Sequence, residues 1–445
     1  MRFTRVSAIG VVSAFTLLGV CLFNAPQSVG QTREPLTLTS QDKWDTNIRQ
    51  QFGLSTNPRL VHSLSAEADT TTTTDLLGIP LTPAERADIM HRDALTPVLS
   101  ELEPYLDHQP EFSGMWVDQQ LGGALFIAAT TSRLSRVVPP KIPAGYTVKY
   151  VSARYPLSQL QRVETSVTAD VVHRRYGGQY ITRSKVSVKS NSVELTLRSD
   201  TPPAARKQIT DRYPAPFVHL NGGGPGGVLA SNRNISSGPL YAGEYITVKT
   251  PLGSCTSGFS KAYSGGNPFV VTAGHCGNGS YFRGEDKTTV SIGTSHSNHF
   301  IYNGSSNCDC VAVGPIATNI ATSSVLVQNN ATNRYVSTAT YFGNGTRVCL
   351  SGGESATQHG ADINCGSIID SGGTQAEGHN FTLVDPVFTS INPYLGDSGG
   401  PIGNSSVQLV GILSSISYTM TGAFYESVFS KASHIGGTVG LTLLY

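Results

Sequence analysis

The chain has 445 residues, a formal net charge of +1 at pH 7 and only 14% charged residues. A balance this close to neutral gives no electrostatic basis for binding nucleic acid or an anionic membrane surface. The length exceeds that of one ordinary domain, and 47 glycines among so few charges favour a turn-rich β protein over a helical one.

Residues 1–30 have the pattern of a secretory signal peptide. Arg2 and Arg5 precede an apolar run over residues 8–23, and Ser28, Val29 and Gly30 supply small residues for cleavage. The alternative is a membrane anchor, for which about 16 apolar residues are short. No later stretch is long and apolar enough to span a bilayer. The sequence therefore predicts a secreted, extracellular protein that has no membrane contact once the signal is removed.

Residues 31–218 contain no cysteine and mix helix and strand signals. The stretch "SGMWVDQQLGGALFIAAT" predicts a hairpin around Gly122 and Gly123, and "SVELTLR" alternates as a strand does. The stretch "YPLSQLQRVETSVTADVV" predicts a helix, because Pro156 suits a first turn and apolar residues recur on one face: Leu157, Leu160, Val163, Val167 and Val171. The sequence predicts an α+β region here.

The segment "HLNGGGPGGVLASNRNISSGP", residues 219–239, is rich in Gly, Ser and Asn. Such a composition predicts a flexible, exposed linker that is easily cut by a protease. We therefore place a domain boundary here, with the maturation cleavage within this linker.

Residues 240–445 consist of short β-type runs separated by Gly, Asn and Ser turns. Examples are "EYITVKT", "PFVVTAGH", "TTVSIGT", "CVAVGPI", "SSVLVQN" and "QLVGILSS". Short strands at this close spacing predict an all-β sandwich or barrel.

The chain has seven cysteines, of which Cys21 lies in the predicted signal peptide. The other six lie in the C-terminal half, and an even number in an exported chain favours disulfides. Cys308 and Cys310 flank Asp309 in "SSNCDCVAV". They could be metal ligands, a redox pair or structural neighbours of an aspartate that itself carries the chemistry.

Two further motifs decide between these readings. "VVTAGHC" places His275 directly after an apolar strand, and "GDSGGP" places Ser398 in a glycine turn that can present its amides and admit a substrate. A serine needs an imidazole to take its proton, and the imidazole needs a buried carboxylate to orient it. Asp309 is predicted to lie in an apolar strand, whereas Asp286 lies in a polar turn, so we predict the triad His275, Asp309 and Ser398.

"TAGHC" together with "GDSGGP" resembles the chymotrypsin-like serine proteases, whose triad has the same chain order. "CTSGF", "VCLSGG", "INCGSI" and the closing "ASHIGGTVGLTLLY" resemble the bacterial branch that includes the streptogrisins and α-lytic protease. The likeness covers about residues 240–445. It extends more faintly to residues 111–170, which resemble that family's N-terminal pro-region.

The resemblance implies two six-stranded antiparallel β-barrels with the triad in the cleft between them. The oxyanion hole would be the amides of Gly396 and Ser398. Ser414 matches the residue that supports the triad aspartate, and it begins the strand, continued by Ser415 and Ile416, on which an extended substrate would pair. No cofactor and no metal is expected.

The resemblance also implies two disulfides, Cys255 with Cys276 and Cys349 with Cys365. Cys308 and Cys310 are then left for each other. In a regular strand their Cα atoms would lie roughly 6.5–7 Å apart, at the long limit for a disulfide, so a bond requires a bulge or twist. Free thiols are the alternative. A zinc site would need further ligands at suitable spacing and a non-oxidising setting.

The primary specificity pocket departs from the family pattern. Asn392 stands where streptogrisin-like chains carry a cysteine, so the usual disulfide around the pocket is missing and no acid lies at its floor. Ile416 occupies a position often held by glycine, and Ala423 should line the same pocket. We expect a shallow, mostly apolar pocket for small or medium uncharged P1 residues.

The whole pattern predicts a secreted serine endopeptidase made as a zymogen, a monomer that acts on proteins or peptides. By the resemblance, residues 31–218 would be a pro-region that acts as an intramolecular chaperone and inhibitor. The alternative is an accessory domain kept in the mature protein. Two other functions stay open, a catalytically silent homologue that binds a partner through its cleft and an esterase that uses the same triad.

Overall fold

The computed structural model describes residues 37–67, 76–132, 142–214, 217–221, 239–249, 253–284, 290–318, 321–326, 332–340, 342–355, 363–418 and 424–443. The predicted signal peptide, residues 222–238 of the predicted linker, Asp286 and Ala423 lie outside these ranges. Residues 38–445 cluster as one compact unit.

The described helices lie mostly in the N-terminal half. They are α1 Ser40–Gln51, α2 Pro58–Glu67, α3 Pro83–Asp93, α4 Leu95–Asp107, α5 Leu157–Val172, α6 Pro203–Arg212 and α7 Ala432–Val439. Capping boxes start α1 at Thr39 and α3 at Thr82, where each threonine accepts from the third helical residue and that residue's carboxylate accepts from the threonine amide. None of the helices in the described ranges is both long enough and apolar enough to cross a membrane.

The strands of the N-terminal half are β1 Phe112–Asp118, β2 Ala124–Ala129, β3 Val148–Ser152, β4 Ile181–Ser187, β5 Ser192–Leu197 and β6 Val218–Asn221. The predicted hairpin is confirmed, since β1 and β2 pair antiparallel around Gly122 and Gly123. The predicted helix and the "SVELTLR" strand are confirmed as α5 and β5. Strand β6 takes up residues 219–221, the first three of the predicted linker.

The strands of the first C-terminal sheet form a barrel. They are β8 Tyr245–Val248, β9 Gly253–Thr256, β10 Phe259–Ser264, β11 Asn267–Thr272, β12 Ser280–Arg283, β13 Ser291–His296 and β15 Val311–Gly314. The sheet runs β10-β11-β15-β13-β12-β8-β9. Strands β9 and β10 are separated by only two residues, so they form one bent strand that closes a six-stranded antiparallel barrel.

The second barrel closes directly. Its strands are β19 Arg347–Leu350, β20 Asn364–Ser371, β23 Val387–Thr389, β24 Pro401–Asn404, β25 Gln408–Tyr418 and β26 Phe424–Lys431. They run β25-β24-β19-β20-β23-β26, and β26 pairs back with β25. The predicted fold class, two six-stranded antiparallel barrels preceded by an α+β region, is confirmed.

Each barrel has its own apolar interior. Ile246, Val270 and Val311 lie in the first, and Val348, Ile402 and Leu413 lie in the second. A third cluster joins the first barrel to α7 and the second barrel, and includes Phe259 and Ile412. The two barrels are thus packed against each other through this third core.

Shorter strands complete the molecule. They are β7 Leu240–Ala242, β14 Ser305–Ser306, β16 Ala321–Leu326, β17 Thr332–Arg334, β18 Ser337–Thr338, β21 Thr374–Ala376, β22 Thr382–Val384 and β27 Thr442–Leu443.

One sheet joins the two halves of the chain. The hairpin β21–β22 of the C-terminal half continues the N-terminal strands in the order β14-β22-β21-β4-β5-β6. Thr374 pairs with Ser184, and Gln375 pairs with Arg183. The N-terminal half is therefore hydrogen-bonded to the second half through a common sheet.

Buried charges reinforce this junction. The Arg183 guanidinium lies 2.5 Å from the Glu426 carboxylate of β26, with side chains 7% and 1% exposed. The same guanidinium lies over the rings of Phe388 at 4.6 Å and Tyr425 at 5.0 Å. Lys185 lies 3.8 Å from Asp370. Since a buried charge is costly unless it is paired, each half supplies the counter-charge that the other requires.

Candidate active site

His275 is held in a tight turn after β11. The turn, Gly274–Cys276, begins two residues after the strand ends, and a disulfide joins Cys276 to Cys255 of β9. A Cβ added to Gly274 would lie 2.7 Å from the Asn298 side chain and 3.0 Å from an oxygen of Asp309. The motif therefore needs glycine before the histidine, because the Asp309 carboxylate packs against that backbone.

Asp309 is fully buried just before β15. The Cys308 and Cys310 sulfurs on either side of it are bonded to each other, with Cα atoms 5.3 Å apart. The separation expected for a regular strand was wrong at this point, because β15 begins only at Val311. The Asp309 amide donates to Ser430 Oγ of β26 at 2.9 Å.

The Asp309 carboxylate accepts three hydrogen bonds. Its Oδ1 accepts from the His275 amide at 2.9 Å, and its Oδ2 accepts from His275 Nδ1 at 2.6 Å and from Ser414 Oγ at 2.6 Å. A carboxylate can only accept, so Nδ1 carries the ring proton and Nε2 is left as a base. Burial alone would disfavour the imidazolium, but the charge and hydrogen bond of Asp309 outweigh it and raise the pKa of His275.

Ser398 lies in a turn built from glycines. Gly396 and Gly399 have φ values of +112° and +85°, and a Cβ on Gly399 would lie 2.1 Å from Thr272 Oγ1. Asp397 is buried between them and accepts from the amides of Glu354 at 2.9 Å and Tyr394 at 2.9 Å. These contacts fix the backbone on both sides of the serine.

The amides of this turn divide into two sets. Those of Asp397, Gly399 and Gly400 donate to the carbonyls of Tyr394, Leu413 and Asp397. Within the described ranges, the amides of Gly396 and Ser398 donate to no other residue. They are the two amides that the family resemblance implies for the oxyanion hole.

The structure brings His275, Asp309 and Ser414 into hydrogen-bond contact, but it does not show a hydrogen bond between His275 and Ser398. His275 Nε2 is buried and has no hydrogen-bond partner among the described residues, so Ser398 Oγ is not bonded to it. The His275 side chain is 5% exposed and Ser398 is 2% exposed. In enzymes of this chemistry such a bond is often long before the substrate is bound.

Two of the three predicted pocket residues are described. Asn392 is half-buried, and its carbonyl accepts from the side chain of Asn364 at 2.6 Å. Ile416 is 1% exposed in β25. The Cys349–Cys365 disulfide lies in the neighbouring strands β19 and β20. Ala423 lies outside the described ranges.

Helix α1 of the N-terminal half supports the loop that carries Asn392, which the sequence did not indicate. Trp44 packs on Tyr394 with ring centroids 6.0 Å apart. Gln51 accepts from Ser390 Oγ at 2.8 Å. A contact between residues over 300 positions apart leaves no local pattern in the sequence.

Glu377 is a second residue that the sequence reasoning missed. It follows β21, is 8% exposed, and accepts from Ser415 Oγ at 2.8 Å. Burial and the nearby Asp309 raise the pKa of Glu377 to about 8. Its motif, "QAEGHN", offers no signal beyond an acidic residue before a turn.

The one group in the described ranges with metal-ligand spacing is Cys255, His275 and Cys276. Both sulfurs belong to a disulfide, so neither can supply the thiolate that a metal requires. This chemistry makes the group a poor ligand set.

Among the comparisons with known proteins, only the comparison with solved structures finds similar proteins. No protein-family model matches the sequence, and no curated protein matches it. The C-terminal half of the chain is similar to bacterial chymotrypsin-like serine proteases.

Three solved structures illustrate the likeness. Protease A of Thermobifida fusca is 23% identical, with 46% of this chain and 98% of that one covered and a TM-score of 0.38. The Nocardiopsis protease is also 23% identical, with 46% and 100% covered and a TM-score of 0.38. The α-lytic protease homolog N4 is 18% identical, with 46% and 100% covered and a TM-score of 0.37.

We predict that Asp309→Asn lowers the pKa of His275 below its wild-type value, because burial remains while the charge that opposes it is lost. NMR titration of the His275 ring proton in the full-length chain measures this. Asp385→Asn is the matched control, since Asp385 pairs with His434 instead. An unchanged His275 titration in Asp309→Asn would contradict the arrangement.

Proposed function

We propose that this chain is a secreted serine endopeptidase synthesised as a zymogen. The observation that carries the proposal is the Asp309 carboxylate, which binds both the backbone and Nδ1 of His275 and so leaves Nε2 as the base. The amides of Gly396 and Ser398, which have no acceptor among the described residues, support the second requirement of acyl transfer, a site for the oxyanion.

In the proposed reaction, Ser398 Oγ attacks the scissile carbonyl while His275 Nε2 takes its proton. The amides of Gly396 and Ser398 hold the developing oxyanion, and Asp309 stabilises the imidazolium. His275 then gives the proton to the leaving amine, and water hydrolyses the acyl-enzyme by the same route. The residues of this chain account for every proton transfer without a cofactor.

Two observations support the zymogen part of the proposal. The His275 side chain is 5% exposed and Ser398 is 2% exposed in this form, so both have little contact with solvent. The N-terminal half is also joined to the second barrel by the shared sheet and by α1. We propose that residues 31–218 assist folding and block the cleft until the linker is cut, and that the mature enzyme is an extracellular monomer.

The catalytically silent homologue is the second candidate. The observation that favours it is the missing hydrogen bond between Ser398 Oγ and His275 Nε2. An esterase would use the same triad and would cleave small esters but not folded proteins.

We expect a fluorophosphonate probe to label the processed protein at Ser398, because the probe reacts only with a serine that a base has activated. Mass spectrometry of the labelled peptide gives the site. Ser398→Ala should abolish labelling, whereas Ser406→Ala, in the turn between β24 and β25, should preserve it. Absence of labelling in the processed wild-type protein would establish the silent homologue.

Cleavage of a peptide library should show small or medium uncharged residues at P1. The reason is that Asn392 places no charge at the pocket floor and Ile416 fills space that glycine would leave open. A profile dominated by Lys, Arg or Glu at P1 would refute this pocket assignment. Hydrolysis of small esters without peptide cleavage would favour the esterase.

We expect Arg183→Met to lower the free energy of unfolding of the full-length chain by about 3 kcal/mol, because Glu426 is left buried without its partner. Urea denaturation in a Ser398→Ala background measures this without self-digestion. Arg198→Met removes an exposed pair with Asp200 and should leave the free energy of unfolding almost unchanged, because solvent screens exposed ion pairs. In chains that retain Ser398, the yield of labelled enzyme should fall with Arg183→Met and stay unchanged with Arg198→Met.

The assisted-folding role has its own test. Residues 237–445 should give little active enzyme when expressed alone and more when residues 31–236 are supplied. Non-local β topologies fold slowly, so a docked template is expected to matter most here. Equal yields would show that the N-terminal half is an accessory domain.

A further inference from the structure

Glu377 lies at the turn of the hairpin that joins the two halves of the chain. Its amide donates to the Phe381 carbonyl at 2.8 Å and closes the turn between β21 and β22. Its side chain points away from solvent, and the residue is 8% exposed. A carboxyl group buried to this degree requires a partner, and the partner lies on the strand that also supports the triad.

Two consecutive serines of β25 connect Glu377 to the triad. Ser415 Oγ donates to Glu377 Oε1 at 2.8 Å, and Ser414 Oγ donates to Asp309 Oδ2 at 2.6 Å. Consecutive residues of a regular strand point to opposite faces, but the pairing of β25 with β26 is irregular between Leu413 and Ser415. A bulge of this kind re-aims side chains beside a site, and here it lets neighbouring serines serve two carboxyl groups.

We propose that Glu377 is a positioning residue of the catalytic site, which tunes the basicity of His275 through its charge and holds Ser415 on the substrate-binding strand. This inference rests on the proposed function. Glu377 does not touch the reacting atoms. It acts on the His275 imidazole electrostatically, and it acts on the substrate-binding strand through its hydrogen bond with Ser415.

The electrostatics of the site give the direction of the effect. Burial and Asp309 raise the pKa of Glu377 to about 8, and Asp309 also raises the pKa of His275, so the two groups ionise over overlapping pH ranges. Once Glu377 ionises, its negative charge favours the imidazolium and raises the pKa of His275. The two groups therefore titrate as a coupled pair.

The other charges near this hairpin are already engaged. Asp309 and His275 are the ionisable groups that act on Glu377. On the adjoining strand β4, Arg183 pairs with Glu426 and Lys185 with Asp370. The effect on His275 is thus expected from Glu377 itself and not from a neighbouring cation.

The test is an NMR titration of the His275 ring proton in the full-length chain that carries Ser398→Ala. Glu377→Gln keeps the size of the side chain and an acceptor for Ser415 but removes the charge. We expect it to lower the pKa of His275, because the negative charge that favours the imidazolium is lost. Asp385→Asn, which removes a carboxylate elsewhere, should leave His275 unchanged.

Two further variants separate charge from structure. Glu377→Asp keeps the carboxyl group and should restore most of the His275 pKa. Ser415→Ala removes the hydrogen bond and keeps the charge, so it should also retain the pKa. The proposal is overturned if His275 titrates identically in Glu377→Gln and in the chain with Glu377. It is also overturned if Glu377→Asp lowers the His275 pKa as much as Glu377→Gln does.

Kinetics of the processed enzyme give the functional readout. The acid limb of the kcat/KM profile should move to lower pH in Glu377→Gln by the same amount as the titration. Because the NMR experiment needs no activity, its outcome is independent of the labelling of Ser398. If Ser398 is labelled but the His275 pKa does not shift in Glu377→Gln, the role of Glu377 is refuted and the proposed peptidase stands. If the pKa shifts but Ser398 is not labelled, the proposed peptidase is refuted and the role of Glu377 stands.

Discussion

The burial of the Asp309 carboxylate is the constraint on which the candidate site depends. A fully buried carboxylate is tolerated only when its oxygens accept hydrogen bonds from fixed donors. Here the donors come from the turn after β11 and from β25, and the Asp309 backbone is held by β26. The two barrels therefore meet at this group, and the orientation of His275 follows from it.

The same rule governs the junction between the halves of the chain. Arg183 and Glu426 are both buried, and neither could be so without the other. Together with the pairing of β4 and β21, this pair makes the N-terminal half an integral part of the full-length structure. This attachment to the second barrel is the physical basis of the proposal that the N-terminal half assists its folding.

Local chemistry explains which parts of the structure were predictable. The α5 helix, the β1–β2 hairpin and the strands "PFVVTAGH" and "QLVGILSS" follow from apolar periodicity and glycine turns. The two motifs around His275 and Ser398 identify their residues because the glycines beside them have no room for a side chain. Asp309 was chosen over Asp286 because it was predicted to lie in an apolar strand. That placement was wrong, since β15 begins only at Val311.

Other features could not be predicted from any local pattern. The bond between Cys308 and Cys310 depends on where β15 begins, which tertiary packing decides. The supports at Gln51 and Trp44 join residues that are far apart in the chain. Glu377 becomes notable only when a bulge in β25 turns Ser415 towards it.

The sequence by itself determined the barrel-forming strands, the α+β character of the N-terminal half and the residue types of the proposed triad, since each depends on neighbours within a few positions. The tertiary structure decided which carboxyl groups lie beside His275 and how the N-terminal half is attached. The free energy of a buried charge or of a strand pair depends on its partner. Here the partners are distant in the sequence, and the chain brings them together only when it folds.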